Sequence, residues 1–297
     1  MTEADSRSYG PRLYFLALLV QFIWALNNSV SKFALKGFPA LLLAGIRMAL
    51  AASFIIPFYW HQRPHDWGGR DFWKLFAFGA VGIGMNQFCF LVGVSKTSVT
   101  HASLIIPLTP LLTLLIAAAL GQEKITARKV VGLALAFSGI LVLQLSKQPD
   151  QSATLLGDFI IFLGILTFAI YIVLGRRATS SHSGVVVNTF GFVGSAVLLL
   201  PFTIWQSRGF DFESVPWFSW VSLFYMAMFS SVVGYLLYYY VLTHMEASRI
   251  SAFSYAQPVM GTTLAALLLG EPLTFALLIS GGLVLAGVYV TERSRWN

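Results

Sequence analysis

The chain has 297 residues, of which 57% are hydrophobic and only 10% are charged, and its mean hydropathy is +0.75. Soluble globular domains average about 25% charged residues, so this chain has too few charges to cover a water-exposed surface, and most of it must lie in lipid. The net charge of the chain is +7. In a membrane protein such an excess of Lys and Arg usually lies in the cytoplasmic loops, and it does not indicate nucleic-acid binding.

Runs of about 20 mostly apolar residues, the length that a helix needs to cross a bilayer, recur along the whole chain. The first run is longer than the core of a signal peptide and lacks a small-residue cleavage site, so it is predicted to be a membrane span. The ten predicted spans are 13–35, 39–60, 72–95, 99–120, 127–146, 155–175, 184–206, 216–242, 247–269 and 273–291. Because the connections between them are short, the sequence predicts an all-α integral membrane protein without a soluble catalytic domain.

Most of the 19 Lys and Arg residues fall in loops on the side of the membrane that holds both chain ends. Basic residues concentrate in cytoplasmic loops. The distribution therefore predicts a multi-pass protein of the cell inner membrane or plasma membrane with both termini in the cytoplasm. The single cysteine, Cys89, allows no intrachain disulfide.

Two stretches, 103–126 and 251–274, match each other at a constant offset of 148 residues. The matches least expected by chance are Ser103/Ser251, Pro110/Pro258, Glu123/Glu271 and Thr126/Thr274. The fourth and fifth spans thus resemble the ninth and tenth, which indicates an internal repeat of five spans. An odd number of crossings inverts the second half in the membrane. Two inverted five-helix repeats are typical of secondary transporters, whose solute site lies between the halves and opens to each side in turn.

Pro110 and Pro258 lie about halfway along the fourth and ninth predicted spans. Proline removes a backbone hydrogen bond, and in a membrane helix neighbouring helices, hydroxyls or water can satisfy the freed carbonyl. We expect a bend at each proline and interpret the two residues as candidate gates of the transport cycle.

Three segments carry a family resemblance: Trp24 to Lys32 (WALNNSVSK), Leu43 to Arg47 (LAGIR) and Gly270 to Thr274 (GEPLT). With these segments the chain resembles the EamA family of the drug/metabolite transporter (DMT) superfamily over nearly its whole length. One departure is an extra residue, Gln122, in the corresponding turn of the first half.

The resemblance implies two EamA units, 13–146 and 155–291. It also implies a ten-helix secondary carrier, often an exporter of amino acids, other metabolites or toxic compounds. The central cavity of such a carrier is lined by spans 1, 3, 4, 6, 8 and 9.

Polar and aromatic residues mark the helix faces that are candidates for lining this cavity. In the first span, Trp24 and Asn28 share one helical face with Gln21 and Ser31, and Asn27 lies beside them. Polar groups that face lipid are costly, so such faces are expected to point inward. The candidate substrate-binding residues from all spans are Trp24, Asn27, Asn28, Arg47, Asn86, Tyr171, Tyr235, Tyr239 and Tyr255.

Two interpretations of this set stay open. The aromatic members could form a wall that stacks on aromatic amino acids or attracts an organic cation, which predicts a semi-polar cavity for small amphipathic solutes. The same residues could instead serve interhelical packing or the aromatic belts at the membrane interfaces.

Arg47 is the only charged residue well inside a predicted span. An ionisable residue at this depth is a functional candidate, here as a ligand for a substrate carboxylate. Pairing with Glu271 or a structural role within the helix bundle is the alternative. Since no Asp or Glu lies at mid-span, the sequence leaves energy coupling open between proton antiport and passive facilitation.

Enzyme chemistry has no support in the sequence, because its histidines are scattered near predicted loops and no zinc-protease, Walker or dinucleotide motif is present. The sequence predicts a carrier without a cofactor, with a small molecule as substrate and the lipid bilayer as its surroundings. A non-transporting scaffold or receptor is the competing class. Rows of small residues could serve packing or a homodimer, so the oligomeric state is left open.

Overall fold

The computed structural model describes residues 10–62, 69–94, 96, 105–145, 154–178, 181–257, 259–261, 263 and 275–292. Every regular element in these ranges is helical. Helices suit a membrane-crossing chain, because each backbone N–H and C=O is then satisfied within its own segment.

We number the helices α1 to α10 in chain order and treat a helix that changes its winding partway along as one element. The bounds are α1 Pro11–Ala34; α2 Ala40–Gln62; α3 Gly69–Gly79, Ala80–Met85 and Asn86–Val94; α4 Ile106–Leu108 and Thr109–Ala119; α5 Ala127–Leu145; α6 Leu155–Ala178; α7 Gly184–Ser207; α8 Trp217–Tyr225, Met226–Val233 and Gly234–His244; α9 Ala247–Ala252 and Phe253–Tyr255; α10 Phe275–Glu292. The middle segments of α3 and α8 are π-helical, whereas α4 begins and α9 continues with a 3-10 turn.

Four helices within the described ranges are long and apolar enough to cross a membrane. They are Ala40–His61, Leu155–Ala178, Gly184–Ser207 and Trp217–His244. Shorter apolar helices occur at Pro11–Asn27, Ile106–Ala119 and Leu278–Thr291. The protein is therefore a multi-pass membrane protein, as the composition predicts.

The helices pack in pairs that join the N-terminal and C-terminal parts of the chain. The contact of α5 with α10 is the most extensive in the described ranges, and the contacts of α2 and of α3 with α7 are the next largest. Helix α1 packs along α8, α3 packs along α6 and α7, and α4 packs against the start of α9. Each half of the chain thus finds most of its packing partners in the other half.

Small residues bring the backbones of paired helices close together. A Cβ atom on Gly79 of α3 would overlap the Cα atom of Gly191 in α7, and Ser195 Oγ donates a hydrogen bond to the Gly79 carbonyl at 3.2 Å. Gly132 of α5 and Gly287 of α10 approach each other's helices in the same way. These small residues therefore serve packing within one chain.

Irregular winding occurs at similar places in the two halves. The π-helical segments begin at Ala80 in α3 and at Met226 in α8, 146 residues apart. Prolines also lie inside two helices at similar places, Pro57 in α2 and Pro201 in α7. A π-helical turn spaces its hydrogen bonds five residues apart and frequently marks a functional position in a helix.

Candidate functional site

Aromatic side chains from α1, α3, α6, α7 and α8 meet inside the largest apolar core. Trp24 lies edge-on to Tyr235 with 5.4 Å between ring centroids, Phe78 stacks on Tyr171 at 4.5 Å, and Tyr171 contacts Tyr239 at 5.7 Å. We call this group the central aromatic cluster; its members are Trp24, Phe78, Phe168, Tyr171, Phe192, Tyr235, Tyr238 and Tyr239. The structure thus brings together four of the sequence-predicted binding residues.

Several polar atoms in and near the cluster are buried without a hydrogen-bond partner in the described part of the chain. The Tyr238 hydroxyl and Asn27 Oδ1 are two of them. The Tyr171 and Tyr239 hydroxyls interact with each other, but neither has a partner at full hydrogen-bond geometry. A buried polar group without a partner costs about 1–3 kcal/mol, so these atoms are candidates for contact with a ligand.

Trp24 binds the π-helical segment of α8. Its Nε1–H donates to the Ser230 carbonyl at 3.0 Å. Within the same segment, Ser231 Oγ donates to the Met226 carbonyl, five residues earlier, at 3.0 Å. Trp24 therefore connects the aromatic cluster to the irregular part of the partner helix.

Arg47 reaches the same segment of α8 from α2. Its Nε donates to Ser231 Oγ at 3.0 Å and its Nη2 donates to Ser230 Oγ at 3.2 Å. The side chain is only 8% exposed, and no carboxylate of the described residues pairs with it. The predicted alternative partner, Glu271, lies outside the described residues. The described hydrogen-bond partners of this buried guanidinium are therefore neutral hydroxyl groups.

The asparagine candidates are distributed over two helices. Asn86 Nδ2 of α3 donates to the Gly164 carbonyl of α6 at 2.8 Å, so this amide connects the two helices. Asn27 lies on α1 beside the cluster residue Trp24. The side chain of Asn28 lies outside the described residues.

Tyr255 lies apart from the central aromatic cluster. It is 2% exposed and packs with Leu114, Leu133 and Val284 in a separate apolar core between α4, α5, α9 and α10. It is the last residue of the 3-10 turn Phe253–Tyr255.

Of the two candidate gating prolines, the structure describes Pro110. Pro110 is buried at the start of the α-helical part of α4, directly after the 3-10 turn Ile106–Leu108. Proline suits this position, since its missing N–H would be unpaired in the first helical turn. The change of winding therefore occurs at the proline. Pro258 lies outside the described residues.

A cavity of about 240 Å³ opens beside the central aromatic cluster between α3, α6 and the α6–α7 connection. Phe78 lines it and also stacks on Tyr171, so the cavity reaches the cluster. Basic groups from three segments surround it: Lys74, Arg177 and His182.

Charged residues form a buried network at one end of the bundle. Lys129 Nζ lies 2.8 Å from Glu123 Oε2 and 2.9 Å from Glu246 Oε2, and Arg249 Nε lies 2.9 Å from the same Glu246 oxygen. Glu123 also accepts hydrogen bonds from the backbone N–H and the hydroxyl of Ser248. We call these five residues the Glu123 network.

The sequence interpretation missed the Glu123 network and the π-helical segments. Glu123 and Glu246 follow apolar runs and look like exposed loop residues, although the structure buries both. The sequence does contain a signal for the irregular segment of α8, because the adjacent hydroxyl residues Ser230 and Ser231 interrupt an apolar span.

Comparison with known proteins identifies relatives over the whole chain. A model of the EamA-like transporter family matches residues 12–145 and 155–293. An uncharacterized transporter of Archaeoglobus fulgidus is 30% identical over 94% of this chain and 98% of its own length. A Salmonella typhimurium protein named a probable amino-acid metabolite efflux pump is 29% identical over 93% of both chains. A solved crystal structure with 20% identity has the same fold, with a TM-score of 0.77 over 96% of both chains.

Ionisable side chains buried inside a multi-pass helical bundle mark substrate or ion pathways in membrane proteins, and Arg47 is such a side chain. The chain belongs to the EamA-like transporter family, which lies within the DMT superfamily. The resemblance inferred from the sequence is thereby confirmed. The protein is a transporter and not an enzyme.

Proposed function

We propose that the protein exports small metabolites, such as amino acids, or amphipathic drugs by alternating access. In this proposal ten membrane spans form two inverted five-helix units, 13–146 and 155–291. The protein lies in the cell inner membrane or plasma membrane with both termini in the cytoplasm.

One observation carries the proposal, namely the twofold pattern of the helix contacts. If α1–α5 correspond to α6–α10, a twofold operation maps the α1–α8 contact onto the α6–α3 contact, and both contacts are present. The same operation maps the α2–α7, α4–α9 and α5–α10 contacts onto themselves. The matching π-helical segments of α3 and α8 support the same correspondence. Two pseudo-symmetric halves related in this way are the arrangement in which carriers alternate access around a site between the halves.

The chemistry near this axis supports solutes with a carboxylate and an apolar group. Arg47 offers a buried positive charge whose described protein partners are neutral hydroxyls. Trp24, Tyr171, Tyr235 and Tyr239 offer ring faces and edges to an apolar side chain or an organic cation. The name of the Salmonella relative, a probable amino-acid metabolite efflux pump, agrees with this class.

We assign the remaining candidates supporting roles around this centre. Asn27 and Asn86 supply amides close to the cluster, Asn28 is a further candidate on α1, and Tyr255 acts from the neighbouring core. Pro110 and Pro258 act as gates while the cavity changes sides.

The experiment that tests the function is an efflux screen of amino acids and cationic drugs in cells that overproduce the protein. Each solute that responds is then measured as radiolabelled flux in liposomes containing the purified protein. We expect saturable flux that disappears when Trp24 and Tyr235 are both changed to alanine. A folded, reconstituted protein that moves none of the solutes would support the non-transporting scaffold or receptor.

A further inference from the structure

The Glu123 network joins segments that are far apart in the sequence. Glu123 lies in the turn between α4 and α5, and Lys129 lies in the first turns of α5. Glu246 and Ser248 lie where α8 ends and α9 begins. The first half of the chain is therefore connected to the second by the ion pair between Lys129 and Glu246 and by the two hydrogen bonds from Ser248 to Glu123.

The network is shielded from water. The side chains of Glu123, Lys129 and Glu246 are 0%, 2% and 7% exposed. Arg176, at the end of α6, adds a third basic group with its Nη1 atom 3.7 Å from Glu123 Oε1. Ion pairs with so little solvent contact are held in one geometry, because separating the partners leaves an uncompensated charge in an apolar surrounding.

The Lys129–Glu246 pair has no counterpart in the repeated sequence. At the offset of 148 residues that relates the two halves, Glu123 corresponds to Glu271, but Lys129 corresponds to Leu277 and Glu246 to Ser98. The cross-half ion pair of Lys129 can therefore form at one end of the bundle alone. In a twofold bundle with this pair at one end, the two halves are held together more firmly at that end than at the other.

We propose that the Glu123 network is the gate at this end of the transporter and that its ion pairs must separate before the end can open. The inference rests on the proposed alternating-access function. Positive-inside counting predicts that this end faces the cytoplasm, so the gate controls entry of the exported solute. The network also makes the state that is closed at this end the more stable one.

Cysteine accessibility tests the gate without any substrate. Ser251 lies one turn after Ser248 in α9, is 2% exposed and donates to the Ser248 carbonyl at 3.0 Å. Ser251→Cys changes a single atom and places a thiol directly behind the network. The native thiol of Cys89, buried in α3 away from the network, reports on the folded bundle in the same molecule.

The purified full chain in lipid nanodiscs is treated with a water-soluble maleimide, and modification of each cysteine is followed by peptide mass spectrometry. In the Ser251→Cys background we expect Lys129→Met to raise the modification rate at position 251 at least tenfold, while Cys89 stays protected. Arg128→Met is the matched control, since it removes the same charge from the adjacent, exposed position.

Glu246→Gln keeps the size of the side chain and decides the question if Lys129→Met does not fold. An unchanged rate at position 251 in the folded variant would overturn the gate. A parallel rise at Cys89 would also overturn it, because the network would then only hold the fold together. Failure of the proposed transport function would appear separately, as the absence of solute flux in liposomes.

Discussion

Replacing Trp24 by phenylalanine tests whether the contact between α1 and the π-helical segment of α8 stabilises the bundle. The substitution keeps an aromatic ring against Tyr235 and Tyr238 but removes the indole N–H. The Ser230 carbonyl then loses the hydrogen bond that it receives at 3.0 Å.

The expected loss of stability follows from that carbonyl. In the low dielectric of the bundle, a buried acceptor left without a donor costs about 1–3 kcal/mol. The edge-on contacts of Trp24 with the two tyrosines persist in part, since a phenyl ring occupies much of the same space. We therefore expect a decrease of about 1–3 kcal/mol in the free energy of unfolding, set by the lost hydrogen bond.

Thermal unfolding of the purified protein in nanodiscs measures this decrease. The matched control is Trp217→Phe, at the exposed start of the same helix α8, where the side chain is 75% exposed. A surface substitution of this kind changes stability by about 0.5 kcal/mol or less. Equal stability of the two variants would refute the assigned role of the Trp24 hydrogen bond.

A double-mutant cycle with Gly234 sharpens the test. A Cβ atom on Gly234 would lie 2.9 Å from Trp24 Nε1, so Gly234→Ala should displace the indole and destabilise the native chain. In the Trp24→Phe chain the Cβ atom has room, and the same substitution should cost little. Additive effects of the two substitutions would show that the side chain of Trp24 does not contact Gly234.

Three further predictions concern packing, charge and bending. Gly79→Ala should destabilise the bundle by about 1–3 kcal/mol, because its methyl group would overlap the α7 backbone. The control is Gly282→Ala, which should not change the melting temperature because the space around Gly282 is open. Arg47→Met should abolish saturable flux of a carboxylate solute while the yield of folded protein is kept, and unfolding of this variant would indicate a structural role. Alanine at both Pro110 and Pro258 should slow flux more than it lowers the melting temperature; unchanged flux would reject their gating role.

The helices could be predicted closely because a bilayer imposes one dominant requirement on the sequence. A long apolar run between polar connections is sufficient to locate a helix. The predicted span 184–206 corresponds to Gly184–Ser207, and 127–146 corresponds to Ala127–Leu145. Such agreement requires no knowledge of which helices touch.

The site could be predicted only in part, because its chemistry depends on contacts between distant residues. Trp24, Tyr171, Tyr235 and Tyr239 were recognisable as large polar-tipped rings on inward faces. The neutral partners of Arg47 were not, since the hydroxyls that bind it lie about 180 residues away and face it only through the π-helical winding of α8.

The buried charges of the Glu123 network were the least predictable feature. A charged residue beside a helix end is normally exposed to water. Glu123 instead pairs with Ser248, 125 residues away, and the pattern of a single sequence contains no signal for such a distant partner. Only the packing of α4 and α5 against the start of α9 removes these groups from solvent.

The widened winding of α3 determines how this helix can be docked at both of its ends. Before the wide turn, Gly79 fits against α7; after it, Asn86 is fastened to the Gly164 carbonyl of α6. With uninterrupted α-helical winding, residues seven apart lie on nearly the same face of a helix, so Gly79 and Asn86 could not meet two partner helices that lie in different directions. The extra residue per turn corrects the angular mismatch, so one continuous rod satisfies two neighbours that lie in different directions.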